Sequence, residues 1–163
     1  MNPQIIRFDA GDWVPNNPNF PVLLYRAVLA DADRAKGFEE LFRRNGWVGL
    51  WRNGVYPFHH YHSNAHEVLG FARGTARLML GGPTGAELEV SAGDVAILPA
   101  GTGHCRLSAS DDFLVIGGYP PGEEYDLCRQ AATPEQMRCI RELPAPKTDP
   151  VTGNHDGLVA TWR

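Results

Sequence analysis

The chain is predicted to be all-β, a sandwich or barrel of short strands, with one helix in the N-terminal half and a short helix near the C-terminus. Three observations predict this. Between Trp47 and Pro120 the sequence breaks into short apolar runs punctuated by glycine, the pattern of strands joined by turns. Glycine and proline are frequent, 18 and 13 of 163 residues, which suits a turn-rich β-protein better than a helical one. Helix signals occur only before Asn45 and after Thr133.

Residues 5–8 and 21–29 read as strands, separated by the turn-rich stretch from Val14 to Pro21. Asp31 opens a helix that runs to about Arg44. Ala35, Phe38, Leu41 and Phe42 share its apolar face, while Arg34, Lys36, Glu39, Glu40 and Arg43 are mostly solvated. Asn45-Gly46 stops it. The expected strands then cover 47–52, 58–62, 67–73, 76–80, 87–90, 95–98, 105–108 and 113–117, the third and fourth joined at Gly74. The glycines from Gly81 to Gly85 mark a loop tip. A phosphate-loop reading fails there, because no Lys-Ser/Thr pair and no helix pattern follow. Thr133-Pro134-Glu135-Gln136 combines a Thr cap, Pro at the first helical position and Gln placed for a capping box. Met137, Ile140 and Cys139 would dock that helix on the β-structure. The tail from Pro144 is extended and turn-rich, ending in Leu158–Trp162. No repeat, low-complexity tract or boundary divides the chain, so residues 1–163 read as one domain.

Composition excludes several function classes. The net charge is −4, and no basic run occurs, which argues against nucleic acid as a partner. Cys105, Cys128 and Cys139 are odd in number and lack Cys-x-x-Cys spacing, so neither a disulfide framework nor a zinc-thiolate site is indicated. The N-terminus has no basic region followed by an apolar stretch, and no apolar run is long enough to span a bilayer. A cytoplasmic setting without membrane contact is the expectation.

The chemistry concentrates in two stretches that hold five of the six histidines. His60 and His62 are two apart, so on a strand they face the same way. Glu67 follows shortly, and His104 comes after a glycine-rich turn. Three imidazoles and one carboxylate form a ligand set for one divalent transition ion per chain. Fe, Mn, Zn, Ni and Co all suit it, and affinity order does not separate them. Four protein ligands would leave two positions open on a six-coordinate ion, where a substrate can enter through oxygen.

Other candidates flank this set. By alternation His59 points away from His60 and His62 and reads as a surface residue or one packed behind the ligands. His66 is expected to hydrogen-bond Glu67 from behind the ligands rather than to ligate. Tyr56 and Phe58 share the parity of His60. Leu69 and Phe71 share that of Glu67. These four should line the interior, one or two of them shaping a small pocket. Arg106 and Ser108 share the parity of His104. An inward Arg106 would need a partner or an anionic substrate, and a solvent-exposed or salt-bridged Arg106 is preferred. Cys105 faces outward as an inert buried thiol. Asp94 is expected to fix a turn by bonding nearby backbone.

The two stretches resemble the motifs of the cupin superfamily. Gly54, His60, His62, Glu67 and Gly74 match G-x5-H-x-H-x4-E-x6-G at every fixed position. Gly93, Pro99, Gly101 and His104 match G-x5-P-x-G-x2-H-x3-N, with Ser108 in place of the Asn, which is not a ligand in cupins. The motif core is residues 54–108, with flanks 1–53 and 120–163 similar to those of small bacterial single-domain cupins. The resemblance implies a double-stranded β-helix of jelly-roll type, a metal site and a homodimer whose paired strands cover exposed sheet edges. It names no substrate. Three function classes follow. The first is a metal-dependent oxidoreductase of dioxygenase type acting on a small oxygenated organic molecule. The second is a metal-dependent isomerase or lyase acting on a sugar or keto acid. The third is a non-catalytic module that binds a small molecule. The motifs contain no extra carboxylate or lysine to move a proton, which counts against the second.

Overall fold

The computed structural model describes residues 1–163. Nine strands and three helices follow in the order β1 (Gln4–Ile6), β2 (Val22–Tyr25), α1 (Arg34–Arg44), β3 (Val48–Asn53), β4 (Glu67–Arg73), β5 (Thr75–Leu80), β6 (Ala86–Ser91), β7 (Val95–Leu98), β8 (His104–Ala109), β9 (Leu114–Tyr119), α2 (Pro134–Glu142) and α3 (Gly157–Thr161). They form a six-stranded sheet, ordered β1-β2-β7-β4-β9-β3, and a three-stranded sheet, ordered β6-β5-β8. All strand pairs are antiparallel.

Alternation along the strands explains how the layers pack. In β2, Val22 and Leu24 join Leu69, Phe71, Ala96, Leu98 and Val115 in a core shared with Ala76, Leu78, Leu80 and Val90 of the smaller sheet. The alternate residues Leu23, Tyr25, Val68, Ala72, Val95, Ile97 and Ile116 face the other way. They meet Phe38, Leu41 and Phe42 of α1 and Leu158 and Trp162 at the C-terminus. Strands buried on both faces therefore read as continuous apolar runs, as β7 does (Val-Ala-Ile-Leu). Some two dozen such buried apolar side chains, at roughly 2 kcal/mol each for the larger ones before entropy is subtracted, make up the core on both faces of the larger sheet. Gly70 lets α1 sit close on β4, because a Cβ there would lie 2.9 Å from atoms of both Phe38 and Phe42.

The helices carry their expected signals. Asp33 caps α1 by accepting from Lys36 N, two residues after the expected opening at Asp31. In α2 Thr133 and Gln136 form the reciprocal capping box. Ile140 is fully buried and Met137 packs beside it, but Cys139 is exposed and does not dock the helix. The tail also differs from the extended reading. Leu158 lies in α3 and Trp162 is its C-cap, and Asp149 holds the helix by accepting from Tyr25 Oη (2.7 Å) and Leu158 N (2.7 Å). The expected strand over 58–62 is absent. That segment makes only isolated bridges, His60 with His104 and Tyr61 with Cys128, and so is extended without belonging to either sheet.

Candidate metal centre

Glu67 is the first residue of β4 and shares the inward parity of Leu69 and Phe71, so its carboxylate turns into the space between the sheets. His104 opens β8 opposite Leu80 of β5. The pairing of His60 N and O with His104 O and N (3.2 and 2.9 Å) hangs the 58–62 segment beside it. His60, His62 and His104 are all buried, and each offers a nitrogen within 4.8 Å of the others.

The tautomers follow from the partners. His60 Nδ1 lies 2.9 Å from the Phe58 carbonyl, His104 Nδ1 lies 3.0 Å from the Thr102 carbonyl, and His62 Nδ1 is bonded to the Asp126 carbonyl. A carbonyl only accepts, so each Nδ1 carries a proton and, in the neutral ring, each Nε2 keeps its lone pair. This is the arrangement that orients imidazoles as metal ligands.

Glu67 Oε2 lies 3.4 Å from His62 Nε2 and 3.3 Å from His104 Nε2, too long for charge-assisted hydrogen bonds, which run about 2.7–2.9 Å. Oε2 is buried and has no hydrogen-bond partner. An orphaned buried carboxylate oxygen beside three lone pairs is what a bound cation would satisfy. Ligands about 2.0–2.2 Å from a shared ion also stand about 3 Å apart. The residues fit a divalent metal. The other oxygen, Oε1, accepts from Tyr119 Oη at 3.5 Å, and Tyr119 Oη accepts from Trp51 Nε1 at 2.8 Å. Trp51 reaches that position because it lies over Gly117, where a Cβ would come within 2.0 Å of its ring.

Electrostatics separate His60 from His62. Burial, reinforced by His104, drives His60 down to about 3, which keeps the ring neutral. Burial pushes His62 down as well, but the charge and hydrogen-bonding contact of Glu67 together with Asp126 outweigh it, and the net shift is upward. Burial raises the Glu67 carboxyl, while His62 and His104 more than offset this and hold it well below the usual carboxylate range. Tyr119 is raised, first by burial and then by Glu67, so it stays a protonated donor.

The site opens into a cavity of about 340 Å³. Trp51, Leu69, Tyr119 and Tyr125 supply its apolar wall, with Tyr119 and Tyr125 stacked at 4.8 Å. Tyr56 lines the mouth and is half exposed. Phe58 stacks on Tyr56 and carries Arg129 over its ring at 3.8 Å, outside the lining.

Several sequence expectations are corrected here. His66 makes no bond to Glu67. Its Nδ1 accepts from Ala100 N (3.0 Å) and its Nε2 donates to the Pro144 carbonyl (3.1 Å). It packs between Phe20 and Trp162, on the side away from the imidazole cluster. Phe71 is fully buried against Phe113, away from the cavity. A register shift between Arg77 and Leu78 in the β5–β8 pairing puts Ser108 out of step with His104, and Ser108 is exposed. Arg106 is half-buried and lines the cavity, neither solvent-exposed nor salt-bridged as expected. His59 lies outside the imidazole cluster, its Nδ1 buried without a partner. Asp94 does bond nearby backbone, accepting from Ser91 N and Ala27 N, and also pairs with Arg26.

Sequence reasoning missed Trp51, Tyr119, Tyr125 and Asp126. Tyr119 was within reach, since it shares parity with Val115 in β9. The loop residues Tyr125 and Asp126 carried no periodic signal.

No protein-family model matches the chain. Over 151 residues it is 40% identical to the uncharacterized protein YjlB of Bacillus subtilis (strain 168), covering 91% of this chain and 90% of that one. With both motifs in place and the two-sheet fold around them, this decides the family. The chain belongs to one family with YjlB, and its fold is of the cupin type. Among solved structures this cupin is similar to acireductone dioxygenase from Bacillus anthracis with a cadmium ion in its active centre (16% identity, TM-score 0.42, 63% of this chain and 79% of that one). It is also similar to an oxalate decarboxylase of Bacillus subtilis (20% identity, TM-score 0.41, 73% of this chain and 30% of that one) and to a DUF861 family protein from Thermotoga maritima (16% identity, TM-score 0.37, 60% of this chain and 98% of that one). No helix of this cupin is long and apolar enough to cross a membrane.

Proposed function

We propose that this cupin is a metal-dependent enzyme of dioxygenase type acting on a small oxygenated organic molecule, with His60, His62, Glu67 and His104 as ligands to one divalent ion. The observation that carries the reading is the convergence of three Nε2 lone pairs and an unpartnered buried Glu67 Oε2 at the floor of an open cavity. When bound, such an ion acts as a Lewis acid at its open positions and, if redox-active, as a centre for oxygen chemistry.

The chain's own residues do the rest. Backbone carbonyls of Phe58, Thr102 and Asp126 hold the imidazole tautomers. The Trp51–Tyr119 pair engages Glu67 Oε1 and leaves Oε2 facing the imidazoles. Stacked Tyr119 and Tyr125 narrow the access of water. Apart from Glu67 the lining contains no carboxylate, and it contains no lysine. Tyr119 is raised by burial and remains protonated. The site therefore lacks an evident free base for moving protons, which favours oxygen chemistry over isomerase or lyase chemistry.

The test is elemental analysis of protein purified without chelator, then oxygen uptake by protein reconstituted with Fe(II), Mn(II), Co(II), Ni(II) or Zn(II) across a panel of small keto and hydroxy compounds. The reading expects close to one ion per chain and substrate-dependent oxygen consumption with a redox-active metal. Failure to take up any of these ions refutes the ligand assignment. Turnover without oxygen consumption moves the assignment to the isomerase or lyase class.

A further inference from the structure

Arg106 is a cavity-lining cation whose charge nothing in the chain neutralises. It lies two residues beyond His104 on β8, half-buried, with its backbone N bonded to the Tyr56 carbonyl at the cavity mouth. It takes part in none of the ion pairs. The other arginine of the lining, Arg52, is already engaged: its Nε and Nη2 donate to the two oxygens of Glu39 at 2.7 and 3.1 Å. Glu67 is the sole carboxylate facing the cavity, and it belongs to the imidazole cluster. A divalent ion held by three neutral imidazoles and one carboxylate keeps one positive charge, and Arg106 adds another. A guanidinium in a partly dehydrated wall calls for an anion, and its planar fork matches a carboxylate. The same lining also holds apolar and aromatic side chains: Trp51, Leu69 and the stacked Tyr119–Tyr125 pair.

We propose that the substrate is a small carboxylate with an apolar or aromatic body, its carboxylate held by Arg106 and its body laid against Trp51, Tyr119 and Tyr125. This names the substrate class for the site proposed above and rests on that reading for the chemistry, but the anion preference belongs to Arg106 itself. A volume of about 340 Å³ lies at the small end of ligand sites, which confines the body to roughly the size of one ring.

The experiment is calorimetric titration with matched pairs of acid and amide: benzoate against benzamide, pyruvate against pyruvamide, and acetate against acetamide. Wild type, Arg106→Gln and Arg106→Lys are each used with metal and after chelation. A charge-assisted bond adds about 1.5–3 kcal/mol, so benzoate should bind wild type at least tenfold more tightly than benzamide. Arg106→Gln should abolish that preference while keeping metal content and circular dichroism unchanged, and Arg106→Lys should keep part of it. Equal affinity for acid and amide in wild type overturns the proposal. So does a preference that survives Arg106→Gln, or failure of all three acids to bind at millimolar concentration. If the protein takes up no metal yet chelated wild type still prefers benzoate through Arg106, the carboxylate assignment stands and only the metal reading fails.

Discussion

Replacing His66 with alanine removes an imidazole that lies next to Glu67 in sequence yet outside its site. The side chain is fully buried. Its Nδ1 accepts from the buried Ala100 N–H and its Nε2 donates to the Pro144 carbonyl, so it ties the turn before β8 to the segment after α2. Alanine strands the Ala100 N–H, at a cost of about 1–3 kcal/mol. It also leaves a void between Phe20 and Trp162, for about 1–2 kcal/mol more. The expected loss is about 3–4 kcal/mol, or roughly 10 °C in Tm for a chain of this size. Urea denaturation at pH 7 measures it, and His66→Asn, which restores an acceptor near the Nδ1 position, should recover part.

The pH dependence carries a sign. Burial holds folded His66 down at about 4, with the Pro144 bond opposing only weakly, whereas the unfolded ring titrates near 6.5. The unfolded state therefore gains a proton that the folded state refuses as pH falls from about 6.5 towards 4, and wild type loses stability across that window. The gap between wild type and His66→Ala should narrow from pH 7 to pH 5. Metal content should be unaffected. An unchanged denaturation midpoint together with lost metal would refute the reasoning and return His66 to the site.

Three further outcomes are expected. Glu67→Gln should remain folded by circular dichroism, because the core is made of apolar side chains, but should retain far less metal by elemental analysis, a loss of tenfold or more; unfolding of that variant would mark the ion as structural. Tyr119→Phe removes the hydroxyl between Trp51 and Glu67 Oε1 and should weaken metal affinity about tenfold in a chelator competition; unchanged affinity would show that the contact does not orient the carboxylate. Glu123 is raised to about 7 by burial, against the lowering effect of the His66 N–H it accepts, so the contribution of Glu123 to stability, opposite in sign to that of His66, should decline as pH rises from about 4.5 through 7. Glu123→Gln keeps an accepting oxygen without the charge. It should exceed wild type at pH 8 by on the order of 1 kcal/mol, discounted for partial exposure, and match it near pH 4.5; equal stability at both pH values would remove the buried charge from the account.

The sequence by itself determined the all-β class, because glycine-punctuated apolar runs and two well-signalled helices leave little else for the chain to form. It also placed His60, His62, Glu67 and His104 at spacings that the two-sheet fold brings together. Those signals are local: a period of two along a strand, a capping box, a glycine where the backbone must turn. What only the tertiary structure decided depends on partners far along the chain. The 58–62 segment is extended because His104 bridges to His60, not because it propagates a sheet. His66 turns from Glu67 because Ala100 and Pro144 meet both of its nitrogens. Tyr119 engages Glu67 because Gly117 admits the ring of Trp51. Arg106 lines the cavity without an ion-pair partner because chain closure brings no other carboxylate than Glu67 into that lining. Alternation assigns a residue to a face, but which side chain occupies the space opposite that face is set by chain closure over dozens of residues, and no local period carries that information.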